Sequence, residues 1–355
     1  MRIAGLARRL GQPGGAEESM RTLFEDLAPE HRTIMFGHTS GNLDQDRVVS
    51  QRVLAADLDL HGVLQVPTAY LEFYLRFRRQ LERFCPSLIF AQHELGLLGA
   101  RQDAPQILFL RDESLLPSSL SKRGIGRLVF NPVAQAVQRR LFGEVIHGSD
   151  LLVANSKHTA KKYNRQWGVN PKVVYPFVDV DEFKIETTGD KILHVTPTLN
   201  KGINVTLDVA DQLPGEDFLV VGREPPAGIR DRIQESTNVE YRGYVDNMRE
   251  VYRETKLVLM PSRWEEPFGR VPLESGISGI PTLCSGRGGL GEAVGTDDLI
   301  VESNAPVEYV RTIKSVLADY ETYAKLVRQN ALSKRASEQM EKLKTTVKRQ
   351  LDMDL

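Results

Sequence analysis

Two glutamates, Glu266 and Glu274, stand eight positions apart in the segment Pro261-Ser262-Arg263-Trp264-Glu265-Glu266-Pro267-Phe268-Gly269-Arg270-Val271-Pro272-Leu273-Glu274. The segment follows an apolar run and opens a helical pattern. Pro272 suits the first helical turn, where no intrahelical N–H donor is needed. The backbone N–H groups near Phe268, Gly269 and Arg270 are then open to an anion, which the helix dipole favours. Gly269 lets a phosphate come close to the backbone. Glu274, in the first helical turns, can accept hydrogen bonds from two vicinal ribose hydroxyls, and Glu266 can do the same for sugar hydroxyls. Two carboxylates at this spacing also occur as an ordinary surface pair. The strand ahead, the Pro-Phe-Gly between and Ser278-Gly279-Ile280-Pro281 beyond favour a site.

Three other groupings carry chemistry. Lys201-Gly202 follows a strand and precedes a helix, where an ammonium can neutralise a diphosphate leaving group; the alternative is a solvated loop lysine. Gly14-Gly15-Ala16-Glu17 follows the first strand, and such a glycine pair lets backbone approach a phosphate or sugar. It is not the Gly-x-Gly-x-x-Gly of a dinucleotide fold. His93 ends one strand and Arg111-Asp112-Glu113 end the next; a hydrogen-bonded structural histidine is the alternative for His93. No His, Cys or carboxylate cluster has metal-ligand spacing, and Asp179-Val180-Asp181 sits at a hinge. The reading is a metal-independent enzyme without a bound cofactor.

The elements that must position these groups follow one pattern. Short apolar runs alternate with helical stretches, and Gly, Pro or Asp marks the joints, as in parallel α/β sheets. The spacing predicts strands at Arg2–Ala7, Thr33–Phe36, Leu88–Ala91, Gln106–Leu110, Leu151–Ala154 and Val173–Tyr175. It predicts a helix with Met20, Leu23, Phe24 and Leu27 on one face. Pro176-Phe177-Val178-Asp179 reads as a hinge. The pattern then restarts with strands at Lys191–Val195, Phe218–Val221, Val239–Tyr241, Leu257–Met260 and Thr282–Cys284, and helices at Val205–Gln212 and Asn247–Glu254. Residues 306–351 read as helical, with a solvated face at the end. This predicts two Rossmann-like doubly wound α/β domains, residues 1–177 and 178–334, facing a central cleft, and a helical tail at 335–355. Ligands of such sheets bind outside the carboxyl ends of the strands, where these groups fall.

Composition narrows the partners. The length of 355 residues suits two domains. Lys plus Arg is 46 against 47 for Asp plus Glu, so nucleic acid is not expected as a partner. The two cysteines, Cys85 and Cys284, suit buried thiols in a reducing compartment. No apolar run spans a bilayer and the start does not read as a signal peptide, so the expected location is cytoplasmic. Two segments, Tyr70 to Phe84 and Ser121 to Phe142, interleave arginines with aromatic and aliphatic residues. They suit either an anionic membrane surface or a helix with one face in the core; the membrane reading expects reversible contact through the second segment, bringing an acceptor near Arg111.

The segment from Pro261 to Glu274 resembles the Glu-x7-Glu motif of retaining glycosyltransferases of family 4, also called group 1. Ala154-Asn155-Ser156-Lys157-His158-Thr159-Ala160 resembles that family's Asn-Ser-x-x-Thr-Ala stretch. Tyr175-Pro176-Phe177-Val178-Asp179 with Phe183 resembles its interdomain Pro-x-Val-Asp…Phe. Gly288-Gly289-Leu290-Gly291-Glu292 is similar to its Gly-Gly-Leu-Pro-Glu loop, with Gly291 where Pro is usual.

The resemblance covers about residues 150–300 strongly and the first half more weakly. It implies the GT-B fold and transfer of a hexosyl unit, with retention, from a nucleoside diphosphate sugar to an acceptor hydroxyl on a glycan, lipid-linked molecule or polysaccharide. The second domain would bind the donor, with Glu274 on the ribose, Glu266 on the sugar and the Phe268 and Gly269 amides facing it. Arg270, Gly15, Arg223 and Tyr244 complete the implied donor set, and Lys201, His93 and Arg111 stand with Glu266 as the catalytic set. Lipid-linked acceptors in the family imply peripheral contact with the inner face of a membrane. Besides Gly291, the chain departs from the pattern at two further places. Val195-Thr196-Pro197-Thr198-Leu199-Asn200 lacks the arginine that usually precedes the lysine, so either Arg223, Arg263 or Arg270 compensates or activity is reduced. Arg111 stands where a histidine is common, and a guanidinium is a poor general base; a front-face mechanism can use the leaving phosphate instead. The alternatives are a nucleotide-sugar epimerase of the same architecture and a degenerate relative that binds a glycan.

Overall fold

The computed structural model describes residues 1–10, 15–39, 48–50, 65–116, 132–187 and 189–355. It divides into two compact units, one of residues 1–177 with 339–355 and one of residues 178–338. Each unit is a parallel sheet flanked by helices.

The first sheet has seven strands: β1 (Arg2–Leu10), β2 (Arg32–Thr39), β3 (Val48–Ser50), β4 (Leu88–Gln92), β5 (Gln106–Leu110), β6 (Leu151–Ala154) and β7 (Lys172–Val173). Their order is β3-β2-β1-β4-β5-β6-β7, all parallel. β4, β5 and β6 are buried along their whole length, which explains why they read as unbroken apolar runs rather than alternating ones. The helix Gly15–Leu27 buries Met20, Leu23, Phe24 and Leu27. Phe24 lies over β1 at Gly5, where a Cβ would come within 2.6 Å of its ring, and meets Phe90 edge-on at 6.1 Å.

The second sheet has five strands: β8 (Lys191–Val195), β9 (Phe218–Val221), β10 (Val239–Gly243), β11 (Thr255–Met260) and β12 (Thr282–Cys284). Their order is β10-β9-β8-β11-β12, again all parallel. The strand order reverses between β1 and β4 in the first sheet and between β8 and β11 in the second. At such a point the two connections leave toward opposite faces and open a crevice at the carboxyl ends.

Three readings need correction. Cys85 is exposed, and Cys284 is the buried thiol. The stretch Val173–Tyr175 is not all strand: β7 stops at Val173, and the Tyr175 N–H donates to Gln339 Oε1 at 3.0 Å. The partner comes from the C-terminal helix Ala336–Leu351, which is also not a separate tail with only a solvated face. Gln339, Met340, Leu343 and Val347 are buried at its helical spacing, and residues 339–355 belong to the first unit. Its many Lys and Glu residues masked this narrow stripe.

Candidate functional site

The richest geometry lies at the carboxyl ends of β8 and β11. β8 is followed by Thr196, whose φ of 68° is a rare conformation for a β-branched residue. Its N–H donates to Val221 O at 2.7 Å, and Gly222 lies so close that a Cβ there would be 2.9 Å from Thr196 Cα. The chain then makes a short 3₁₀ turn, Leu199–Lys201, capped by the Thr198 hydroxyl. Gly202 follows with φ 80°, and a Cβ on it would stand 1.9 Å from Pro261 O. This glycine therefore permits the turn after β8 to press against the loop after β11. Asn200 O laces the two together, accepting Arg263 N–H at 2.8 Å.

The result is a contact across 65 residues. Lys201 Nζ reaches Glu266 Oε1 at 2.5 Å, and Ser262 Oγ donates to the same oxygen at 2.8 Å. Glu266 is only 4% exposed. Its backbone is fixed by the Gly288-Gly289 loop: Gly289 N–H donates to Glu266 O at 2.7 Å, and a Cβ on Gly288 would lie 2.1 Å from that oxygen. These glycines are required by close backbone packing, which is the structural content of the Gly-Gly-Leu-Gly-Glu stretch.

Glu274 lies on the helix Val271–Ile277, with Pro272 in its first turn. It is 9% exposed. Arg270 Nε donates to its Oε1 at 3.0 Å and the Tyr252 hydroxyl to its Oε2 at 2.9 Å. Burial, reinforced by the Glu274 charge, pushes the Tyr252 phenol well above its usual pKa, so it remains a donor. Gly269, with φ 93°, connects the two glutamates, and a Cβ there would strike Leu290 at 2.7 Å. Its N–H donates to no described group. The Phe268 side chain is core, so any ligand contact it makes is through backbone.

The remaining residues of the expected donor set are more scattered. Arg270 is engaged with Glu274. Arg223 and Tyr244 follow β9 and β10, both exposed, on the outer side of the same carboxyl edge. Gly15 opens the helix after β1; Gly14 lies outside the described residues. Sequence reasoning missed Tyr252 and Ser262. The only signals were a tyrosine on an apolar helical face, which needs a partner for its hydroxyl, and the Pro-Ser pair directly after a strand.

The first unit brings His93 and Arg111 to the ends of the adjacent strands β4 and β5. His93 takes a φ of 55°. Its Nδ1 lies 2.8 Å from Ser114 Oγ and 3.5 Å from Asp112 Oδ1. Burial alone would raise the Asp112 pKa, but the His93 charge and hydrogen bonds from His93 and Ser114 outweigh it and hold this carboxyl below its usual range. The buried Arg111 guanidinium lies over the Phe109 ring at 4.4 Å, and Asn155 Nδ2 donates to Arg111 O at 2.9 Å. Ser156, next to Asn155, caps the helix Lys157–Trp167 through Thr159 N–H, so the Asn-Ser-x-x-Thr stretch serves as strand-end tie and helix cap. Gln92, beside His93, donates to Ala16 O at 3.1 Å and ties β4 to the start of the first helix.

The two basic segments divide. In the helix Gln65–Phe84, Phe77 and Leu81 are core, Tyr74 is half-buried beneath Arg78, and Leu71 and Leu75 project at 54% and 68% exposure. The Tyr70 and Phe73 side chains and residues 121–131 lie outside the described residues. In the helix Pro132–His147, Phe142 is core while Val137, Arg139 and Arg140 are exposed. Among the described residues, no helix is long and apolar enough to cross a membrane, and no three His, Cys, Asp or Glu are grouped to hold a metal ion.

Comparison with known proteins places this geometry among relatives. Residues 13–182 match Glycosyltransferase Family 4 and residues 190–319 match Glycosyl transferases group 1. A D-inositol 3-phosphate glycosyltransferase of Geodermatophilus obscurus is 28% identical over 236 residues, 54% of this chain and 51% of that one. One from Rhodococcus opacus is 26% identical over 213 residues, 50% of this chain and 47% of that one. The chain thus spans about half the length of these relatives. In fold it is similar to HepE of Anabaena in complex with UDP-glucose, with a TM-score of 0.74, 17% identity and coverage of 98% of this chain and 100% of that one. It is also similar to a sucrose-phosphate synthase of Thermosynechococcus elongatus, with a TM-score of 0.76, 18% identity and 99% of each chain covered. These structural likenesses identify the GT-B fold.

Proposed function

The chain belongs to the group 1 glycosyltransferases of family 4, and from that premise we propose that it transfers a hexosyl unit, with retention, from a uridine diphosphate sugar to an acceptor hydroxyl. The observation that carries the reading is the joining of Lys201, Ser262 and Glu266 at the switch point of the second sheet, one short loop from Glu274. HepE, of the same fold, binds UDP-glucose, which supports a uridine donor. Donor entry exchanges the partner of Lys201. Its ammonium leaves the carboxylate for the diphosphate, and Glu266, still held by Ser262, accepts sugar hydroxyls. One charge-assisted hydrogen bond replaces another, so the exchange costs little. The Gly269 N–H adds a neutral donor. As the C1–phosphate bond breaks, the acceptor oxygen bonds to C1 on the same face and its proton passes to the leaving phosphate oxygen. Lys201 stabilises the charge developing on that phosphate. The reading invokes no metal ion.

The first unit supplies the acceptor side through His93 and Arg111. The D-inositol 3-phosphate relatives, glycan acceptors and lipid-linked acceptors are all compatible with a hydroxyl delivered near a buried guanidinium. Exposed Leu71 and Leu75 beside Arg78 and Arg79 support reversible contact with an anionic membrane. Cosedimentation with anionic vesicles that falls at high salt is the expected result, and equal binding to neutral vesicles removes that part of the proposal. A thermal-shift panel of UDP, GDP, ADP and their sugars tests the donor. Stabilisation is expected to be largest for UDP and its sugars, and no stabilisation by any of them refutes the reading.

A further inference from the structure

Tyr252 is fully buried, and its hydroxyl serves Glu274 from the helix Met248–Arg253. Its ring stands edge-on to Phe183, with centroids 6.2 Å apart. Phe183 is itself anchored: its carbonyl accepts the Ser278 hydroxyl at 2.6 Å, and Ser278 Oγ accepts the Ile185 N–H at 2.9 Å. Ser278 ends the helix that bears Glu274. The ring is therefore fixed against the same helix its hydroxyl addresses. A phenylalanine would fill the same volume without a polar atom to satisfy, so packing alone does not account for the tyrosine.

The geometry at the carboxylate is complementary. An ionised carboxylate has about four lone-pair sites, two on each oxygen. Tyr252 occupies one on Oε2 and Arg270 one on Oε1, which leaves one on each oxygen. One acceptor site per oxygen is what two vicinal hydroxyls require. The terminal torsion of a glutamate is broad, so without both donors the carboxylate plane can turn and present its sites unevenly.

We propose that Tyr252 is a positioning residue for ribose recognition: it holds Glu274 Oε2 against the grip of Arg270 on Oε1, so that one lone pair of each oxygen faces the 2′- and 3′-hydroxyls of the donor nucleoside. The inference rests on the reading of Glu274 as the ribose acceptor. Calorimetry on the full chain with UDP and with 2′,3′-dideoxy-UDP tests it, using wild type, Tyr252→Phe and Glu274→Gln, each checked for folding by thermal unfolding. Tyr252→Phe is expected to weaken UDP about 5–10-fold while changing the dideoxy nucleotide less than about twofold, so discrimination by the hydroxyls shrinks. Equal losses for both nucleotides indicate a packing role and overturn the inference, as does an unchanged UDP affinity. If Glu274→Gln loses UDP affinity and Tyr252→Phe does not, only the inference fails. If Glu274→Gln binds UDP like wild type, or the wild type does not bind UDP, the reading beneath it fails as well. Should Tyr252→Phe not fold, Phe183→Leu loosens the ring and keeps the hydroxyl: a smaller loss confined to UDP supports the inference, and equal or absent losses overturn it.

Discussion

The carboxyl edges of the two sheets solve different problems with similar topology. At the second, each glutamate is engaged by other side chains, Glu266 by Lys201 and Ser262 and Glu274 by Tyr252 and Arg270. These clamps bring together β8, β11 and the helices on either side. At the first, among the described residues, His93 meets Ser114 and Asp112 in the turn after β5, and Arg111 lies over the Phe109 ring. The contrast matches the proposed labour. A nucleoside diphosphate has the same ribose and phosphates whatever the sugar, so its site can be built into rigid elements, whereas acceptors differ between enzymes and turns and loops suit that variation.

The largest effect is expected from breaking the tightest clamp. Lys201→Ala leaves a carboxylate that is 4% exposed without its cation. Turnover should fall by about 10²–10³, the scale of losing one group that stabilises transition-state charge, with a smaller rise in donor KM. Unfolding in urea should show a loss of about 1–3 kcal/mol, below the range for a fully buried pair because the lysine is partly exposed. Adding Glu266→Gln should recover stability and leave turnover low. Wild-type turnover in Lys201→Ala would assign the lysine to structure alone.

Next in size is the ribose clamp. Glu274→Gln should weaken nucleotide binding by about 1–3 kcal/mol, read by calorimetry, while Arg111→Ala should leave nucleotide affinity unchanged. A loss of nucleotide affinity in Arg111→Ala would break the division between donor and acceptor edges.

Acid should separate the two units more gently. Burial, with the Lys201 charge as a lesser contribution, pulls the His194 imidazole down to about 4, and its Nδ1 lies 2.8 Å from Thr206 Oγ1. Between the unfolded value near 6.5 and 4, the unfolded chain binds the proton first, so stability falls as pH falls through that window. Asp112 in the first unit is shifted below its unfolded value. Its contribution is complete above about pH 4 and is lost only below it, as pH falls toward the folded pKa. His194→Gln should flatten stability against pH from about 6.5 to 4, whereas Asp112→Asn should lower stability by a constant amount above about pH 4 and flatten the more acid limb. Denaturant melts across pH check both, and a flat wild-type profile from 6.5 to 4 would remove the His194 contribution.

The smallest expected effect is none: activity should survive a chelator. Complete loss that added divalent ion restores would overturn the metal-free reading.

The strands were legible because parallel sheets bury both faces, so β4, β5, β6 and β9 stand out as short apolar runs between Gly, Pro and Asp. The short edge strands were not. β3 was missed and β7 was read too long, because three or two residues carry no periodicity. The C-terminal helix was legible as a helix, but its attachment to the first unit was not, since Gln339 meets the Tyr175 N–H over 164 residues.

By itself the sequence determined what is local: the Glu266–Glu274 spacing, the Pro272 turn and the Lys201-Gly202 corner. Each depends on neighbours within a few residues, where propensity and hydrogen bonding act. Tertiary structure alone decided which groups meet. Placing β8 beside β11 joins Lys201 to Glu266, and the Tyr252 hydroxyl, carried on the helix Met248–Arg253, reaches Glu274 on the helix Val271–Ile277. Such pairings follow from sheet order and burial, which act between segments far apart in the chain and leave no mark in the spacing of either one.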